Sequence, residues 1–187
     1  MPESVVDVGC GLGHFLKAFK DKSVSRVKGI NGDWVPRDKL FKNIEPNEFI
    51  VQDLQQKFNI NEKFDLAISL EVAEHLKAES ACDFIKSLTE LSDTIVFSAA
   101  TPLTWYDGSH LNNQWPTYWR ELFNRFGFEM YDVIRHIFVN EDIFSWYKAN
   151  MFLVTKPENN KIVSEFKRVY PREKYINRST SVFYPRI

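Results

Sequence analysis

An α/β fold is predicted by three features of this sequence. Short apolar segments that suit buried strands alternate with segments whose apolar residues recur every three or four positions. A glycine-rich turn joins the first strand to the first helix, and the last two strand-like segments lie close enough in the chain to pair antiparallel. With 187 residues, 44% of them hydrophobic, the chain can build one sizeable core. We therefore expect one domain with a seven-stranded, mostly parallel sheet, a final antiparallel strand and helices on both faces.

The first five predicted strands are apolar or β-branched segments. They are residues 5–8, 27–30, 49–51, 65–70 and 94–99. Helices are predicted over residues 12–19 and, more briefly, over 34–41. Before the fifth strand the apolar positions fall on one helical stripe, which comprises Ala81, Phe84, Ile85, Leu88 and Leu91.

The remaining sequence predicts one more helix, two strands and a basic extension. The aromatic residues from Trp115 to Phe126 recur at helical spacing, with Pro116 near the start and Gly127 just after the end. Residues 128–137 and 150–155 are the two predicted strands. We expect residues 1–156 to form the domain and residues 157–187 to form a basic extension packed on it.

Composition limits the partners that the chain can have. No run of about 18 apolar residues is present, and no basic start is followed by an apolar signal segment. Cys10 and Cys82 provide neither a disulfide framework nor a metal-binding pair. We expect a cytoplasmic protein that has no membrane partner. Residues 156–187 hold eight Lys and Arg against three Glu, so the rest of the chain is acidic, which argues against a nucleic-acid partner.

The turn VVDVGCGLGHF, residues 5–15, contains three of the seven glycines in the chain. Glycine tolerates positive φ and close approach of a ligand, and the helix that follows presents free N–H groups. The dinucleotide fingerprint would require glycine at position 14, which is His14. Asp7, two residues before the first glycine, would repel a pyrophosphate and suits a ligand that carries an ammonium group.

The segment VVDVGCGLG resembles motif I of the class I S-adenosylmethionine-dependent methyltransferases. The resemblance continues through VKGINGDWV, VQDL, FDLAISLEVAEHL and NQWPTYWRELFNRFGF, and it ends at about Lys156. It implies a Rossmann-like sheet of seven strands, in agreement with the strand count, and S-adenosyl-L-methionine as the cofactor.

The resemblance also implies roles for individual residues. Asp7 would hold the methionine ammonium, and Asp53 would accept a hydrogen bond from the adenine amino group. Asn31 stands where the family usually has an acid that binds both ribose hydroxyls, and Asp33 is the candidate substitute. The full predicted cofactor-binding set is Asp7, Gly9, Cys10, Gly11, Gly13, Asn31, Asp33, Asp53, Leu54 and Leu70.

Chemistry beyond the cofactor is expected after the fourth strand. If residues 71–75 form a helical turn, then Glu71, Glu74 and His75 share a face, and two carboxylates with an imidazole can bind a divalent metal such as Mg²⁺ or Mn²⁺. The block is similar to the Glu-x-x-Glu-His motif of small-RNA 2′-O-methyltransferases and quinone-pathway O-methyltransferases, and His110 would be a fourth ligand. The alternative is a metal-free site. In that case Glu71, His75 and His110 are the catalytic candidates.

The predicted activity is O-methylation of a small molecule, such as a saccharide or a secondary metabolite. Trp105 and Tyr106, in the loop after the fifth strand, are the candidates for lining the acceptor pocket. One alternative is RNA 2′-O-methylation at a metal-assisted site. The other is a catalytically silent subunit that binds the cofactor.

Overall fold

The fold is a seven-stranded sheet in the order β3-β2-β1-β4-β5-β7-β6. The computed structural model describes residues 1–103, 108–138, 142–159, 162, 164 and 165. The strands are β1 (Ser4–Val8), β2 (Arg26–Asn31), β3 (Phe49–Val51), β4 (Leu66–Leu70), β5 (Thr94–Ser98), β6 (Glu129–Tyr131) and β7 (Phe152–Thr155). Strand β7 runs antiparallel to both β5 and β6, and the other pairings are parallel. The predicted fold class is confirmed.

Six helices and three short 3₁₀ turns accompany the sheet in the described residues. The helices are α1 (His14–Asp21), α2 (Arg37–Leu40), α3 (Ala81–Leu91), α4 (Pro116–Arg125), α5 (Ile134–Ile137) and α6 (Ser145–Asn150). The 3₁₀ turns are Pro46–Glu48, Ala73–His75 and Ala78–Ser80. No helix in the described part of the chain has the length and hydropathy that a membrane-spanning segment requires.

The largest apolar core lies between α3, α4 and the sheet. All five residues of the predicted α3 stripe are buried. On α4, the rings of Trp119 and Phe123 pack against Phe97 of β5, with centroid distances of 5.5 and 5.2 Å. These aromatic contacts attach the second half of the chain to the centre of the sheet.

The strand order creates a crevice beside β1 and β4. From β1 the chain continues to β2 and β3 on one side of the sheet, whereas β4 and β5 lie on the other side of β1. The loops that follow β1 and β4 therefore leave the sheet in opposite directions. Such a switch point is where ligands bind in open α/β sheets. Asp7, near the end of β1, lies opposite Ile68 of β4 and Gly29 of β2. The sheet therefore brings the glycine-rich turn next to the Glu71 loop.

Several predicted boundaries are wrong for identifiable reasons. The strand predicted over residues 128–137 ends at Tyr131, and helix α5 follows. The chain turns there because Arg135 pairs with Asp132 three residues earlier and also donates to the Ala149 carbonyl at 3.0 Å. Helix α1 begins at His14 and not at residue 12, since Gly13 still has a positive φ of 78°.

Two further expectations fall largely beyond what the structure describes. The predicted pocket residues Trp105 and Tyr106 lie outside the described residues. So does most of the predicted extension, residues 157–187.

Replacing Phe97 with alanine should destabilise the fold by about 3–5 kcal/mol, because the change leaves a cavity between β5 and α4. Urea denaturation measures this loss. The matched control is Phe41→Ala, an exposed ring at the end of α2, which should cost well under about 1 kcal/mol. Equal losses in the two variants would contradict the assigned core.

Candidate active site

The glycine-rich turn packs directly against the loop that follows β4. Gly9, Gly11 and Gly13 all have positive φ, at 90°, 51° and 78°. A Cβ at Gly9 would lie only 2.3 Å from Val72 Cγ2, whereas a Cβ at Gly11 would meet no atom within 4 Å. Gly9 is therefore required both by its backbone conformation and by the approach of Val72, and Gly11 by conformation alone.

Asp7 is a buried carboxyl group with an unused acceptor. Its side chain is only 3% exposed, and its Oδ2 has no hydrogen-bond partner among the described residues. Burial raises the pKa of Asp7 to about 7. A buried carboxylate without a partner is costly, and a cationic ligand group placed beside it would remove that cost. The site therefore fits an ammonium group next to the glycine-rich turn.

Polar groups at the end of β2 already have hydrogen-bond or ion-pair partners in the protein. Asn31 is buried, and its Oδ1 accepts the Gly32 N–H at 2.7 Å. Asp33 points to solvent, and its carboxylate pairs with Arg37 at 2.8 Å. The ring of Trp34 lies over Gly32, where a Cβ would come within 1.7 Å of Trp34 Cζ3. The roles of Asn31 and Asp33 toward a ribose remain predictions.

The other predicted cofactor residues lie around the same crevice. Asp53 is exposed and its Oδ1 accepts the Gln55 N–H at 3.0 Å, while Leu54 is buried. Cys10 faces the core against Gly29, and burial followed by the nearby Asp7 raises the pKa of its thiol to about 12. Leu70 ends β4 and, like Tyr147, packs against an apolar cluster that includes Tyr131 and Leu153. The thiol of Cys10 therefore stays protonated, and the cofactor-binding roles of these residues remain predictions.

Glu71, which is partly buried, and Glu74, which is buried, form a carboxyl pair where β4 ends. Residues 71–75 do not form the expected helical turn, because Glu71 has a φ of 55° and only Ala73–His75 are 3₁₀-helical. Asn150 Nδ2 lies 3.4 Å from both Glu71 carboxylate oxygens. Glu74 is 1% exposed, and neither of its carboxyl oxygens has a hydrogen-bond partner in the described residues.

The pair holds protons more tightly than free carboxyl groups do. Burial is the largest cause that raises the pKa of Glu71 and of Glu74, and the neighbouring Glu71 carboxylate raises the pKa of Glu74 further. Two carboxyl groups in such surroundings resist simultaneous ionisation. The pair therefore tends to keep one proton, while the other carboxyl group can act as a proton acceptor.

His75 and His110 meet beside this pair. Their rings contact edge to face, with centroids 4.7 Å apart. The Glu74 carbonyl accepts the N–H groups of Leu111 and Asn112 at 2.7 and 2.9 Å, which holds the His110 loop against the 3₁₀ turn. Glu74, His75 and His110 each offer a ligand atom within 4.8 Å of the others, and Glu71 is not part of this group.

Helix α6 contributes two residues that the sequence did not reveal. Asn150 binds Glu71, as described above. Burial raises the pKa of Tyr147, and the carboxylates of Glu71, Asp7 and Glu74 raise it further, so its phenol stays protonated beside all three acids. The sequence SWYKAN has no motif spacing that marks these residues. Only the antiparallel return of β7 brings them to the site.

Residues 1–133 match the family model described as a methyltransferase domain. The chain belongs to this family. It is a class I S-adenosylmethionine-dependent methyltransferase, and the predicted family is confirmed. None of the curated proteins compared with the sequence matches it.

Solved structures share the fold of this methyltransferase. DesVI from Streptomyces venezuelae is 15% identical, with a TM-score of 0.63, and the match covers 82% of this chain and 83% of DesVI. The sugar N-methyltransferase KedS8 from Streptoalloteichus sp ATCC 53650 is 12% identical, with a TM-score of 0.63 and coverages of 82% and 79%. DhpI in complex with SAH is 13% identical, with a TM-score of 0.57 and coverages of 82% and 77%.

The pKa of Asp7 predicts how cofactor affinity depends on pH. The carboxyl is protonated below about pH 7 in the free methyltransferase. If Asp7 receives the ammonium, as the resemblance predicts, it must ionise, and affinity should fall by up to about tenfold per unit as pH drops below about 7. Affinity should change little just above that pH. Calorimetric titration with S-adenosylmethionine from about pH 5.5 to about pH 7.5 measures the slope.

Asp7→Asn is the matched control for this titration. The variant should bind the cofactor more weakly at pH 7 and lose the acidic slope, since the amide does not titrate. An unchanged slope in Asp7→Asn would show that another group controls binding.

Proposed function

We propose that this methyltransferase transfers its methyl group to a hydroxyl oxygen of a small molecule, such as a saccharide or another secondary metabolite. The observation that carries the proposal is the carboxyl pair of the partly buried Glu71 and the buried Glu74 beside the glycine-rich turn. Gly9 and Val72 are in contact, so the loop expected to bind the cofactor adjoins the loop that bears the carboxyl groups. The similar fold of a sugar N-methyltransferase is compatible with a saccharide acceptor.

A hydroxyl acceptor needs a base, because its oxygen is a weak nucleophile while it keeps its proton. S-adenosylmethionine, when bound, supplies a methyl group that its sulfonium charge has already activated. Glu71 is the candidate base, since it is only partly buried and Asn150 orients both of its oxygens. Glu74, which is nearly inaccessible, holds the proton that the pair shares. A positioned base accelerates such a reaction by roughly 10²–10⁴.

Other residues around the crevice would bind the cofactor and the acceptor. Asp7 would receive the ammonium group, and the N–H groups at the start of α1 would face the ligand. His75 and His110 lie beside Glu74, and their imidazole nitrogens can hydrogen-bond the acceptor. His110 Nδ1 is a buried atom without a partner in the described residues, as a ligand-facing nitrogen would be.

A second candidate is metal-assisted methylation, including methylation of an RNA 2′-hydroxyl. It is favoured by the group of Glu74, His75 and His110, whose mixed oxygen and nitrogen donors suit Mn²⁺ or Mg²⁺. A divalent ion held there would lower the pKa of an acceptor hydroxyl. The three carboxyl groups at the crevice argue against a phosphate-rich acceptor, because a nucleic-acid surface is usually basic.

Replacing Glu71 with glutamine should lower kcat by roughly 10²–10⁴ and leave cofactor affinity nearly unchanged, because the amide keeps the shape and loses the base. The assay is release of S-adenosylhomocysteine with a panel of hydroxylated saccharides and secondary metabolites. Wild-type kcat should fall as pH drops through the raised pKa of the pair, since a protonated carboxyl cannot accept the proton.

The control for the base is Glu79→Gln, an exposed acid in the following 3₁₀ turn, which should keep wild-type turnover. Full turnover in Glu71→Gln would contradict the base assignment. Absence of turnover by the wild type, with cofactor bound, would favour the silent subunit.

The metal hypothesis makes a prediction that does not need an acceptor. Calorimetric titration with Mn²⁺ should show one site, and His110→Ala should weaken it by at least about tenfold because one ligand is lost. His14→Ala, whose ring faces Asn43, is the matched control and should bind Mn²⁺ like the wild type. Absence of Mn²⁺ binding, together with unchanged turnover in chelator, would eliminate the metal and leave the base mechanism intact.

A further inference from the structure

Four aromatic side chains form one connected group, which we call the aromatic wall: Phe15, Phe144, Trp146 and Tyr147. The rings of Phe144 and Trp146 stack at 4.5 Å with an interplanar angle of 7°. Tyr147 contacts Phe15 edge to face at 5.9 Å. Helix α6 and the start of α1 are thus joined by aromatic contacts across the crevice.

The aromatic wall adjoins the reacting groups of the proposed mechanism. Tyr147 packs on the same apolar cluster as Leu70, the residue before Glu71. Asn150, one turn after Trp146 on the same helix, donates to Glu71. Phe15 is two residues after Gly13 of the glycine-rich turn. The wall therefore faces both the expected cofactor loop and the candidate base.

Much of the aromatic wall is exposed, although rings of this size usually contribute to a core. Phe144 is 64% exposed, Trp146 42% and Phe15 41%. The rings of Phe97, Trp119 and Phe123, by contrast, are all buried. Stability of the fold does not require aromatic residues at the exposed positions. An exposed apolar patch beside a cleft is typical of a ligand-binding surface.

We propose that the aromatic wall is the acceptor-binding surface and that it holds a neutral, hydroxylated ring by its flat face, with one hydroxyl directed to Glu71; this inference rests on the proposed function. Aromatic rings bind flat apolar faces well, and both the C–H face of a pyranose and the face of an aryl ring provide one. Buried and partly buried carboxyl groups disfavour an anionic acceptor. Stacking fixes the plane of the acceptor ring, so a ring hydroxyl can be aligned with the base.

Two probes test the inference in the presence of saturating S-adenosylhomocysteine: methyl β-D-glucopyranoside for the saccharide and catechol for the aryl ring. Saturation-transfer NMR should detect binding of at least one ring probe to the full chain, and none of acyclic sorbitol. Trp146→Ala and Phe144→Ala should each weaken the ring probe by about threefold to tenfold while cofactor affinity is unchanged. Phe41→Ala, which removes an exposed ring from α2, should bind as the wild type does.

Several outcomes would overturn the inference. The first is that neither ring probe binds, and the second is that wild type and Trp146→Ala bind the ring probe equally. The third is a concentration-dependent dimer that Trp146→Ala abolishes, because the wall would then be a contact between two copies of the chain. Methyl transfer to the same probe, measured with S-adenosylmethionine in place of S-adenosylhomocysteine, provides the separate test of the proposed function. Binding of a probe without methyl transfer to its oxygen would reject O-methylation and retain the acceptor surface. Methyl transfer that neither wall variant changes would retain O-methylation and reject the acceptor surface.

Discussion

The contact between Gly9 and Val72 is the constraint on which the site depends. Strands β1 and β4 are neighbours in the sheet, so the loops that leave them must share one edge. No side chain fits at Gly9, because a Cβ would overlap Val72. The absence of that Cβ allows the glycine-rich turn to reach the loop that carries Glu71 and Glu74. Methyl transfer needs donor and acceptor within van der Waals reach, and this contact sets how closely the two loops approach.

The carboxyl groups at the crevice reduce the stability of the fold. Asp7, Glu71 and Glu74 are carboxyl groups whose burial raises the pKa, so ionising them in the folded chain is unfavourable. Each therefore reduces stability as pH rises from the ordinary carboxyl range toward the raised pKa, because the unfolded chain ionises first. The apolar contacts around Phe97 and the α3 stripe offset this cost. In the proposed function, the same carboxyl groups favour a cationic cofactor group at Asp7 and a neutral acceptor.

Sequence reasoning succeeded where the pattern is local. The alternation of strands and helices predicted the sheet, and the turn around Gly9, Gly11 and Gly13 predicted the left-handed backbone that the structure contains. It failed for helix α6, because Tyr147 and Asn150 reach the site only through the antiparallel return of β7. It also misjudged the backbone at Glu71, whose positive φ breaks the expected helical turn. A spacing rule describes one regular element, and it cannot describe contacts between distant segments.

A double-mutant cycle at Gly9 and Val72 tests the central claim most directly, with S-adenosylmethionine affinity measured by calorimetry. Gly9→Ala should lose affinity through steric overlap and through backbone strain of about 1–3 kcal/mol. Val72→Ala in the same chain should recover the steric part. Gly11→Ala is the matched control, since it carries strain without overlap and should gain nothing from Val72→Ala. Wild-type affinity in Gly9→Ala, or no recovery in the double variant, would contradict the account.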